Sequence, residues 1–236
     1  MADHVYISQF QDELILLDTK KDKYTICSNE FSELLLALLD LKKPVLSEDF
    51  LLQKVTAIQQ LINEGIIERK KNPFTYYIDR KIDSEGVSNV DWTLPIEKKK
   101  VDFNFSVFQA LVTLIYIHFC IKFKGLYSTI QLIKKSRKIG SNYIIPQGEE
   151  LVCLANTVSK ACFIYPKRTK CLEWAMTFIL LALKRNWKCN LEIGVQNYPF
   201  FAHAWVECDG KVVMDSGDLR SGLSIILNEP FRKLIT

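Results

Sequence analysis

Cys171, His203 and Asp215 are the side chains whose types and order in this chain could break a peptide bond. The cysteine opens an apolar run, Cys171-Leu-Glu-Trp-Ala; the histidine sits in Phe-Ala-His203-Ala-Trp-Val-Glu; the carboxylate closes Lys-Val-Val-Met-Asp215. A thiol, an imidazole to take its proton and an acid to orient the imidazole are a nucleophile, a base and the base's support. The chemistry they predict is acyl transfer through a thioester, with His203 as general base and then general acid.

Three such groups work only if secondary structure brings them together. Leu172, Ala175, Met176, Ile179, Ala182 and Leu183 recur at helical spacing, and Trp174, Phe178, Leu180 and Leu181 fill most of the other side. That pattern predicts a central, buried helix over residues 171–186. With Thr169 as the expected N-cap, Cys171 falls in the first turn, where unpaired N–H groups favour an anion. The helix dipole contributes about 0.3–1 kcal/mol, less than one pKa unit, so a protonated histidine must supply the rest of the thiolate's stabilisation.

His203 and Asp215 are expected on a β-hairpin. Phe201, His203, Trp205 and Glu207 alternate with Ala202, Ala204, Val206 and Cys208, and Asp209-Gly210 marks the turn. A two-residue loop would place Asp215 opposite Ala204, on the wrong face. A three-residue loop with a bulge at Gly210 pairs Glu207 with Lys211, Trp205 with Val213 and His203 with Asp215. The second register is the expected one, because it joins opposite charges across the strands, worth about 0.2–1 kcal/mol.

Lys-Cys-Leu-x-x-Ala at a helix start, Ile-Gly-Val at 193–195, and His-Ala-Trp-Val-Glu-x-x-Gly followed by an acid five residues on together resemble the B protein of lasso-peptide maturation. The resemblance implies a papain- or transglutaminase-like cysteine peptidase core that removes the leader from a ribosomally made precursor. It also implies Cys171 as nucleophile, His203 as base and Asp215 as orienting acid, with no cofactor. The partners implied are the precursor's leader and an ATP-using, asparagine-synthetase-like cyclase. A transglutaminase-type acyltransferase with the same triad, or a noncatalytic peptide-binding adaptor, are the alternatives.

The remaining sequence is read as delivery and scaffold. Strands are expected at residues 5–10, 13–17 and 24–27, followed by a helix through Phe31, Leu34, Leu35, Leu38 and Leu39, a break at Pro44, and a second helix from Ser47 to Gly65. This order resembles the PqqD-like winged-helix element that recognises leaders. Applied here, the resemblance places the leader as an added strand between Tyr24, Thr25 and Ile26 and the helix face of Val55, Ile58, Gln59 and Ile62. The fold class is therefore α+β, with a recognition module at 1–71, a linker at 72–102 and the peptidase domain at 103–236.

Residues 103–123 form an aromatic run of spanning length. Asn104, Ser106, Gln109, Thr113 and His118 interrupt it. A helix packed in protein is favoured over a span, with docking at a membrane surface as the alternative. Further helices are expected near 127–138 and 149–161, and His118 and Cys120 are read as core. A net charge of +4 leaves no nucleic-acid footprint. Seven scattered cysteines with neither a secretory leader nor a Cys-x-x-Cys pair argue for a reducing cytoplasm, which the lasso-peptide resemblance implies is bacterial, and against structural zinc.

Overall fold

A computed structural model of the chain describes residues 1–39, 48–68, 81–82, 84–88, 92–95 and 104–231. Pro44, Ser47 and the lysine run at 98–100 lie outside the described residues.

Strands Val5–Phe10 (β1), Glu13–Asp18 (β2) and Lys23–Ile26 (β3) form an antiparallel meander. The alternation of strand side chains divides their apolar residues between two faces. Val5, Ile7, Leu14 and Leu16 face helices Asn29–Leu39 (α1) and Glu48–Asn63 (α2), packing with Leu34, Leu35 and Leu61. Tyr6, Phe10, Ile15 and Leu17 face the other way, into the main core of the C-terminal half. Burial on both faces explains the nearly continuous apolar run in β2. One strand was not foreseen: Lys81–Ile82 (β4), inside the stretch read as linker, pairs in parallel with the end of β1. Among the described residues the sheet order is β3-β2-β1-β4, with β3 at an edge.

Phe105–Ser136 (α3), Gly148–Ile164 (α4) and Cys171–Lys184 (α5) form the helical layer. Asn104 caps α3 by accepting from the Val107 N–H at 2.9 Å. The two helices expected across this stretch are one element with a break at Gly125, whose φ of 77° and ψ of 173° leave the helical region. From Glu173 to Leu183 every residue of α5 is buried, as a helix apolar on all sides requires.

Asn190–Gln196 (β5), Phe201–Cys208 (β6), Lys211–Val212 (β7) and Ser224–Glu229 (β8) make a second antiparallel sheet in the order β7-β6-β5-β8. Leu219–Gly222 (α6) is a single turn before β8. Gly194 is needed here, since a Cβ would lie 2.7 Å from Trp205 Cζ3 and 2.8 Å from Leu223 Cβ. The two sheets are tied together. Ser224 Oγ donates to the Gln9 carbonyl at 2.7 Å, Tyr6 Oη to Glu229 at 3.4 Å, and Asn197 Nδ2 and Tyr198 Oη both to the Glu13 carboxylate at 2.6 Å.

Candidate active site

Cys171 is the first residue of α5, but the cap is Lys170 rather than the expected Thr169. The reason lies three residues on. Glu173 Oε2 accepts the Lys170 N–H at 2.9 Å, half of a capping box, and this starts the helix one residue later than a threonine cap would. Glu173 is held in turn: its Oε1 lies 2.7 Å from His118 Nδ1 on α3. His118, expected as a core residue without a role, therefore buttresses the helix start that carries the thiol. Position N3 of α5 was the signal available in the sequence; the partner on α3 was not.

His203 is buried on β6, and its Nε2 lies 2.8 Å from Asp215 Oδ2. The route to this contact differs from the expected register. The hairpin turn has two residues, with Cys208 opposite Lys211 and Glu207 opposite Val212. Asp209 and Gly210 both have positive φ, 50° and 81°, the conformation that matches strand twist in a two-residue hairpin. The anticipated Glu207–Lys211 pair is worth under about 1 kcal/mol and does not override that turn. Glu207 instead accepts from Asn190 Nδ2 and from the Gly210 N–H. Asp215 avoids the wrong face because the ladder stops. After the Val213 N–H bonds the Val206 carbonyl at 2.9 Å, Met214 turns left-handed with φ of 54°, and the chain swings Asp215 back to the imidazole.

With Nε2 taken by Asp215, Nδ1 is the ring nitrogen left to act on the Cys171 thiol. The Cys171 side chain is half-buried. Burial pushes its thiol pKa up, but the hydrogen bond and charge of His203 and the backbone N–H groups of Ala204 and Leu172 outweigh that, and the net shift is downward. Burial lowers the His203 pKa; hydrogen bonds to Asp215 and Cys171 and the charge of both reverse this and raise it to about 9. The site therefore favours a thiolate beside an imidazolium. Asp215 Oδ1 accepts the Ser216 N–H at 2.8 Å, which fixes the carboxylate plane.

A buried polar cluster lies behind the histidine. The Phe201 and Trp205 rings flank it, with centroids 6.1 and 6.0 Å away. Trp205 Nε1 donates to Glu192 Oε2 at 2.9 Å, and Glu192 also receives Arg220 Nε at 3.0 Å and Asn228 Nδ2 at 2.8 Å. Burial raises Glu192 to about 7, against the opposing pull of Arg220. This support was not legible beforehand, because its members are scattered over β5, β6, α6 and β8.

Among the residues expected to take a leader, Tyr24 is half-buried, with its ring 5.3 Å from that of Phe200. Burial and the charges of Asp22 and Cys171 push its phenol up, so it stays a neutral donor within electrostatic reach of the thiolate. Thr25, Ile26, Val55 and Gln59 are exposed, while Ile58 and Ile62 are half-buried. A cavity of about 380 Å³, lined in part by Trp92, Leu94, Phe163 and Thr169, adjoins the start of α5 and has room for a substrate side chain.

Residues 113–228, which include all three candidate catalytic residues, match the transglutaminase-like superfamily, in keeping with the α+β architecture. Over 230 residues, covering 93% of this chain and 96% of the relative, it is 24% identical to the microcin J25-processing protein McjB of Escherichia coli. No solved structure matches the chain.

Proposed function

We propose that the protein is a cysteine peptidase of lasso-peptide maturation that binds a precursor's leader and hydrolyses the bond between leader and core. The observation that carries this reading is the His203–Asp215 contact at 2.8 Å, together with the downward shift that His203 imposes on the Cys171 thiol at the mouth of a buried helix. Similarity to a microcin-processing protein supports the substrate class.

The Cys171 thiolate attacks the scissile carbonyl, and the first free N–H groups of α5 receive the developing oxyanion. Imidazolium His203 gives its Nδ1 proton to the leaving amine, so the core departs and the leader remains as a thioester. Neutral His203 then takes a proton from water, hydroxide adds to the thioester, and the thiolate leaves with the imidazolium restored. Asp215 holds the ring through Nε2 during both steps. The leader is delivered as a strand on the open edge of β3, which raises the local concentration of the scissile bond. The freed amine is then joined to an acidic side chain by a separate ATP-using cyclase. Seven free thiols fit a reducing bacterial cytoplasm.

The test incubates the purified chain with a leader-bearing lasso-type precursor peptide and follows products by mass spectrometry. Cleavage at one bond by the wild type, and none by Cys171→Ala with leader affinity unchanged, is the expected result. Cleavage by Cys171→Ala at the wild-type rate would overturn the reading. The transglutaminase-like match keeps acyl transfer as a second reading; a product joined to an added amine, rather than a free acid, would favour it.

A further inference from the structure

The exposed side of α3 does not look like the surface of a helix finished with solvent. Phe105, Phe108, Val112, Tyr116, Phe119 and Phe123 are each between 45% and 80% exposed. Their spacing of three and four residues aligns them in one straight ridge about 27 Å long at 1.5 Å per residue. The opposite side, through Val107, Ala110, Leu114, Ile117 and Cys120, is buried against α4 and α5. α3 is long and apolar enough to cross a bilayer by length and composition, but crossing would carry its packed partners into the hydrocarbon, so its solvent-exposed side alone is available to a membrane. An unbroken exposed apolar row of this size marks an interaction surface.

The charges around the ridge select what covers it. α3 contains no aspartate or glutamate and four lysines. Lys122 and Lys124 are exposed on either side of Phe123, just before the Gly125 break turns the chain away, and Lys122 Nζ lies 5.3 Å from the Phe123 ring centroid. A second copy packed through this face would offer no α3 carboxylate to these lysines, and side-by-side parallel packing would set them against their own kind. The ridge is also convex and one helix wide, which suits a soft surface better than a pocketed one. Aromatic rings that sink to headgroup depth, with lysines reaching outward to phosphate, fit an anionic bilayer.

We propose that the protein docks peripherally on an anionic membrane surface through the Phe105–Phe123 ridge of α3, with Lys122 and Lys124 on the lipid phosphates. The inference does not depend on the proposed peptidase activity, and its test uses no peptide substrate.

The full-length protein is sedimented with phosphatidylcholine vesicles with and without phosphatidylglycerol. Two lysines at the surface lead to a partition coefficient on the order of tenfold higher on the anionic vesicles, and that preference fades with salt. Phe119→Ser with Phe123→Ser should abolish binding to both vesicle types while far-ultraviolet circular dichroism and Tm stay unchanged. Lys122→Gln with Lys124→Gln should abolish only the anionic preference. Absence of binding to either vesicle, equal binding to both, or binding indifferent to the phenylalanine variants overturns the proposal. So does light scattering that shows a dimer dissociated by those variants, which would assign the ridge to a second copy.

Discussion

Replacing Asp215 with asparagine removes one charge at the site and keeps the shape of the side chain. In the structure the carboxylate accepts from His203 Nε2 at 2.8 Å, the ring is 2% exposed, and the imidazolium persists to about 9. A hydrogen bond to a charged group is worth about 1.5–3 kcal/mol and a neutral one about 0.5–1.5. The difference, about 1–1.5 kcal/mol, is about one pKa unit. In Asp215→Asn the imidazolium should therefore lose its proton at about pH 8. The chain has only three histidines, so side-chain labelled histidine NMR can follow His203 directly, assigned by its loss in His203→Gln. The alkaline limb of the cleavage rate should move by the same amount, because the leaving amine needs the His203 proton. An unchanged His203 midpoint beside reduced cleavage would refute the electrostatic account and leave Asp215 an orienting role alone.

His203→Ala removes the main influences that lower the Cys171 pKa and leaves burial to raise it. Iodoacetamide alkylation of Cys171, resolved by peptide mass spectrometry with exposed Cys153 as reference, should then need a higher pH than in wild type; an unmoved profile would contradict the ion pair. Glu173→Ala strips the backbone cap from Lys170 and the partner from His118, and should cost about 1 kcal/mol of stability by denaturant titration, with cleavage falling more than leader affinity. Gly194→Ala forces a Cβ against Trp205 and Leu223 and should cost about 1–3 kcal/mol in the same measurement.

The helices could be read from sequence because their apolar spacing is strong, and the three N-terminal strands because alternation and turns coincide within a residue or so of their observed ends. β4 was hidden by its length and by the charged sequence around it, since two residues carry no periodicity. The hairpin shows a different limit. The expected register assumed that the second strand ran on to Asp215, whereas it ends at Val212 and a left-handed Met214 supplies the turn back. A methionine at positive φ has no sequence signature. The links from His118 to Glu173 and from Glu192 to Trp205, Arg220 and Asn228 join distant parts of the chain, where local pattern is silent.

Tyr6, Phe10, Ile15 and Leu17 fill the same core as α5 and the second sheet. The segment expected to grip a leader and the segment expected to cut are thus welded, so the span from β3 to the sulfur is fixed, as on a ruler. Excising either half would strip apolar surface from the other, so a truncated form beginning at α3 should be prone to aggregate.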